Sequence, residues 1–111
     1  MSQIYYNPEI QTVLERMLLP DAQVALGKMF GYPAYYVNKK MFACVYEDAV
    51  GLKVPFALAA SLIGQEGITP FVPMGRRQMK EWIQISHPNP EDFLNDLDLF
   101  HQSILFVSSP R

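Results

Sequence analysis

Residues 28–54, KMFGYPAYYVNKKMFACVYEDAVGLKV, constrain what this chain can fold into more than any other stretch. Three β-rich runs, 29–37, 40–46 and 49–54, are separated only by the pairs Asn38-Lys39 and Glu47-Asp48. A two-residue gap leaves room for a hairpin and for nothing longer, so the runs predict an antiparallel meander. Lys39 is a poor residue for such a turn, which prefers side chains at ease with positive φ, and the first hairpin is expected to use a longer or bulged loop. In the third run Val50, Leu52 and Val54 alternate with Gly51 and Lys53, which predicts one core face and one more open face.

The flanking segments read as helices and a second strand pair. Asn7, Pro8 and Glu9 form a helix start: Asn caps free amides, Pro tolerates the first turn and Glu favours the positive end of the dipole. Ile10, Val13, Leu14, Met17 and Leu18 then make one apolar stripe, which Pro20 ends. Pro55 opens a second helix to about Ile63, stopped in the Gly64 and Gly67 region. This helix, PFALAASLIG, carries no charge. It is either buried in the monomer or helps to bury a partner. Thr69–Pro73 and Met79–Ile85 read as strands around a Gly75-Arg76-Arg77 turn. Asn89-Pro90-Glu91-Asp92 starts a last helix with the stripe Phe93, Leu97, Phe100 and Ile104. The order is α-β-β-β-α-β-β-α, an α+β chain forming one domain over residues 1–111.

Composition narrows the function classes. Half of the 111 residues are apolar and 18% are charged, which supplies a core but little solvated surface, so self-association is expected. Nine basic residues are outnumbered by eleven acidic ones, and the net charge of −2 gives no positive field for phosphate backbones. Direct nucleic-acid binding is therefore not expected. The single cysteine, Cys44, excludes an internal disulfide and agrees with a cytoplasmic location. The N-terminus has no signal-peptide pattern, and no apolar run is long enough to span a bilayer.

The stretch GKMFGYPAYYVNKKMFA at 27–43, the triplet Leu52-Lys53-Val54 and PMGRRQMKEW at 73–82 together resemble the N-terminal domain of the TfoX/Sxy proteins. In that family Met-Phe-Gly is followed by Gly or by Tyr-Pro, and Tyr32-Pro33 matches the second form. The later stretch commonly reads Gly, basic residue, Pro, Met-Lys-Glu, aromatic. Gly75, Arg76, Met79, Lys80, Glu81 and Trp82 fit it, while Arg77-Gln78 departs by an inserted residue and the lack of a Pro. The resemblance implies a two-layer α/β domain with a five-stranded antiparallel sheet, here as a stand-alone domain without the family's C-terminal TfoX domain. It implies no catalytic activity and carries over no competence role.

No nucleophile-base pair, metal cluster or phosphate loop is visible, and no cofactor is expected. Cys44, mid-strand between Ala43 and Val45, reads as a small buried hydrophobe. His87 and His101 have no second ligand at metal spacing. Glu91, Asp92, Asp96 and Asp98 read as helix-start and polar-face charges in solvent. Tyr32, Tyr35, Tyr36, Phe42 and Tyr46 read as core and cross-strand aromatics rather than a base-stacking platform. The remaining candidate is a surface of Lys53, Arg76, Arg77, Lys80 and Trp82, which would hold a carboxylate, a phosphate or an acidic patch of a partner, or else be an ordinary solvated turn. Alternation leaves Glu81 as a misfit, to be resolved by a bulge, a strand end or a buried ion pair with a residue such as Lys28 or Lys53.

The expected function is thus a non-catalytic regulatory or protein-interaction module, homodimeric, with a further protein partner open to it. The alternatives are a small anionic-ligand binder or enzyme at the Arg76/Lys80 hairpin and, third, a partner-dependent nucleic-acid regulator.

Overall fold

The computed structural model describes residues 4–75 and 78–109. Asn7 begins α1 (Pro8–Leu18) as expected, its side-chain oxygen accepting from the Glu9 N–H at 2.9 Å. Ile10, Val13, Leu14 and Leu18 are its buried face.

The strands are β1 (Ala25–Met29), β2 (Tyr32–Val37), β3 (Lys40–Tyr46), β4 (Ala49–Lys53), β5 (Ile68–Pro70) and β6 (Trp82–Ile85). They form one antiparallel sheet in the order β1-β2-β3-β4-β6-β5. The sheet has six strands where five were expected, because the run 29–37 is not one strand. Phe30 (φ 49°) and Gly31 (φ 90°) both have positive φ and turn the chain back on itself. The residues before that turn become β1, a mostly exposed edge strand whose sequence, ALGKM, has no alternation to announce it.

The β2–β3 loop is the two-residue pair itself, with Asn38 at φ 52° and Lys39 at φ 66°. The irregularity foreseen for this hairpin sits within the strands instead. The register shifts between Tyr35, opposite Ala43, and Tyr36, opposite Met41. Phe42 is thereby an extra residue on β3, and Phe42 and Ala43, although adjacent, both join the main core.

That core lies between one face of the sheet and the helices. Tyr35, Val37, Val45, Val50, Leu52, Ile83 and Ile85 meet α1 and α3 (Leu97–Ser108) there. The opposite face is not open. Tyr32, Ala34, Cys44, Tyr46, Phe71 and Trp82 form a second buried cluster on it. Its cover is the chain after β5, which leaves the sheet at Phe71. The strands expected at 69–73 and 79–85 are shorter for this reason: Pro70 and Pro73 have no N–H for a ladder, so the chain peels off and crosses the face. A 3₁₀ turn at Pro73–Gly75, with Met74 at φ 56°, carries it across. The Met74 N–H donates to the Tyr46 hydroxyl at 2.7 Å and fixes the crossing. The predicted turn residues Arg76 and Arg77 lie outside the described residues.

The last helix also differs at its start. Pro90–Asp96 is 3₁₀ and α3 begins only at Leu97. A 3₁₀ segment turns every three residues, so Leu97 rotates off the stripe and is 38% exposed. Phe93, Phe100, Ser103, Ile104 and Val107 carry the buried face instead.

Candidate functional site

β4 and β6 are neighbours, and their register sets Lys53 opposite Trp82. The structure therefore brings together the two members of the basic surface that lie farthest apart in sequence. Trp82 is only 5% exposed, its ring 5.6 Å from that of Phe71, so it belongs to the second core. Lys53 Nζ lies 3.9 Å from Glu81 Oε1, both side chains being partly exposed. Glu81 precedes β6 in a turn, and its carbonyl accepts from the Val54 N–H at 3.0 Å. Its apparent misfit in the alternation is resolved by a strand end, since β6 starts at Trp82, and the ion pair with Lys53 is partly exposed and not the buried one expected. Lys80 is exposed in the same turn.

The aromatic residues divide between the two faces. Tyr35 and Phe42 fill the main core, while the rings of Tyr32 and Tyr46 lie 4.9 Å apart tilted by 50° and Tyr46 meets Phe71 edge-on at 5.8 Å. The Tyr35 hydroxyl reaches Glu15 at 3.2 Å, and burial, then that carboxylate, push its phenol up. Burial pushes the Cys44 thiol up to about 12, with the Gly51 backbone hydrogen bond pulling the other way. At neutral pH it is a thiol and not a nucleophile.

A different surface stands out on the helices. In α2 (Phe56–Leu62) only Ala59 is buried. Leu58 and Leu62 pack partly buried against the main core, so this charge-free helix is buried within the monomer along one face only, and Phe56 is 57% exposed. Leu105 on α3 is 66% exposed and stands between two hollows. One, of about 270 Å³, is lined by Pro55, Gln102, Phe106 and Ser109 besides Leu105 itself. The other, of about 260 Å³, is lined by Asp21, Gln23, His101 and Ile104 as well as Leu105. No Lys, Arg, Asp or Glu occurs in residues 54–65 or 99–109, and among the described residues that line the two hollows Asp21 alone carries a formal charge.

The acidic residues of 91–98 do not all stand in solvent. Glu91 pairs with Arg16 at 3.1 Å, joining the 3₁₀ segment to α1 on an exposed surface. Asp96 is largely covered and lies 2.6 Å from His87 Nε2. Sequence reasoning missed this pair because a nine-residue separation matches no helical or strand period, and only the 3₁₀ path folds Asp96 back to His87. Among the described residues no group of three or more His, Cys, Asp or Glu is arranged to hold a metal ion. No helix among them is long and apolar enough to cross a membrane.

Comparison of the chain with protein-family models, with curated proteins and with solved structures gives no match.

Proposed function

We propose that this chain is a non-catalytic regulatory or protein-interaction module of the TfoX N-terminal type that works as a homodimer. The motif residues that carry the resemblance serve as joints of the fold. Met29-Phe30-Gly31 makes the β1–β2 turn, Leu52-Lys53-Val54 leads β4 towards α2, and Met79–Trp82 returns the covering segment to the sheet. Residues used in this way specify a scaffold rather than a reaction.

The observation that carries the dimer is the Leu105 ridge. A protruding side chain flanked by a hollow on either side is complementary to its own copy across a two-fold axis, since each ridge can enter a hollow of the other molecule. Among the described residues lining the two hollows Asp21 alone is charged, which leaves little to select a strongly charged partner. A cytoplasmic location suits a buried cysteine that has no disulfide partner.

Light scattering behind size exclusion tests this reading. The wild-type protein should elute with twice the mass of a 12.7 kDa chain at micromolar concentration. Leu105→Glu should give the single-chain mass with the fold intact by circular dichroism, because the side chain is exposed in the single chain and contributes to no core within it. A monomer mass for the wild type throughout that range overturns the dimer.

A further inference from the structure

A cavity of about 470 Å³ opens where the turn before β5 meets the chain leaving β6, lined by Glu66, Gly67, Ser86, His87 and Pro88. Its wall is fixed by backbone. The Ser86 N–H donates to the Gly67 carbonyl at 2.8 Å, and Gly67 has φ +80°. A Cβ placed on Gly67 would come 2.5 Å from the Ser86 carbonyl oxygen, so the two segments approach as closely as glycine permits.

His87 is held from the side. Its Nε2 meets Asp96 Oδ2 at 2.6 Å, and its ring lies edge-on to Phe93 with centroids 4.7 Å apart. The contact engages Nε2 and leaves Nδ1 as the ring nitrogen that Asp96 does not use. Neither Nδ1 nor the Glu66 carboxylate has a hydrogen bond or ion pair among the described residues. Among the described residues no lysine or arginine lines the cavity. The polar side chains among its lining residues are those of Glu66, Ser86 and His87, with the Glu66 carboxylate the one formal charge, beside the apolar ring of Pro88.

We propose that this cavity binds a small organic cation, its ammonium or guanidinium group held by Glu66 and His87 and its alkyl part against Pro88. Asp96 acts as a positioning residue that sets the orientation of the ring. The site is chemically opposite to the anion surface expected from Lys53, Arg76, Arg77 and Lys80. It is independent of the Leu105 ridge, and its test leaves the dimer reading untouched.

NMR titration of the ¹⁵N-labelled protein with 1,4-diaminobutane and with methylguanidinium is the direct test, with acetate and phosphate as anion controls. Saturable shifts of Glu66, Gly67, Ser86 and the His87 ring are expected for at least one cation. Glu66→Gln should weaken that binding by about tenfold or more, the worth of one charge-assisted hydrogen bond, without lowering the melting temperature. The proposal is overturned by absence of saturation at about 10 mM cation, which lies beyond the weakest useful affinity. Shifts spread over all exposed carboxylates, undiminished binding in Glu66→Gln, or binding of the anions in place of the cations would overturn it equally. A blocked arginine tripeptide that binds while both free cations fail would transfer the site to a protein partner and also sink the small-molecule proposal.

Discussion

The ring of Phe71 comes so close to the backbone of Gly51 that a Cβ there would lie 2.7 Å from two ring carbons and 3.0 Å from Cys44 Sγ. Gly51 is in mid-strand on β4, where a glycine ordinarily weakens a sheet, and it has ordinary strand geometry. Its role is to leave the space into which the covering segment sets its aromatic anchor. Gly51→Ala should therefore destabilise the protein by about 1–3 kcal/mol through overpacking, and Phe71→Ala by roughly 3–5 kcal/mol through loss of the anchor. In the Phe71→Ala background the added methyl should cost far less. Urea titration of the double-mutant cycle checks this, and simple additivity of the two losses would refute the contact.

The Lys39 backbone gives a prediction of the opposite sign. Its φ of 66° is left-handed, a region costly for a residue with a Cβ and open to glycine. Lys39→Gly should stabilise the protein by about 0.5–1 kcal/mol, with the hairpin register unchanged. Thermal melts measure the gain. A loss would mean that the lysine side chain contributes more than its backbone conformation costs.

Stability should fall at alkaline pH. The Cys44 thiol has an ordinary value of 9.0 and is raised to about 12 by burial, so the unfolded chain ionises first. Its contribution is fully present below about pH 9 and is lost as pH climbs towards 12, by at most roughly 4 kcal/mol for three pH units. Tyr35, also raised, adds to the fall above its ordinary value of 10.0. In Cys44→Ala the decline should begin near the tyrosine value instead of near the thiol value. Urea titrations over a pH series decide it, and an unchanged profile in the variant would show that the thiol does not contribute. A thiol reagent should label the wild type only as fast as the protein unfolds.

The hairpin charges should prove modest. Lys80→Ala should shift stability by no more than about 0.5 kcal/mol, as exposed substitutions do. Coupling between Lys53 and Glu81 in a double-mutant cycle should be below about 1 kcal/mol, since both are partly exposed and screened. Coupling of roughly 3–5 kcal/mol would instead indicate an ion pair acting as a buried one. Arg76→Ala combined with Lys80→Ala should leave the fold intact, and circular dichroism suffices to check it.

Local chemistry explains what could be read from the chain in advance. The Asn7-Pro8-Glu9 start of α1, its buried stripe, the two-residue gaps of the meander and the inward alternation of Val50 with Leu52 and of Ile83 with Ile85 depend on residues within a turn or two of one another. Periods of 3.6 and 2 record such relations directly. The second alternation also places Trp82 on the face opposite Ile83. The α+β class and the nearly complete order of elements follow from these signals. Phe30-Gly31 was legible as turn material but lay inside a run whose apolar content concealed the break.

What only the tertiary structure decided involves residues that meet without any period to link them. Pattern alone could not say that Phe71 would fill the space over Gly51, which turns the supposed open face into a second core and removes Trp82 from the surface. Nor could it say that a 3₁₀ path would rotate Leu97 outward and bring Asp96 to His87, leaving Glu66 and His87 on one cavity. The charge-free α2 was conspicuous in the sequence, but its exposure beside Leu105 depends on which faces α1 and α3 had already covered. Burial is shared among segments distant along the chain, and the allocation is settled by volume and by backbone hydrogen bonding rather than by any segment's own preference.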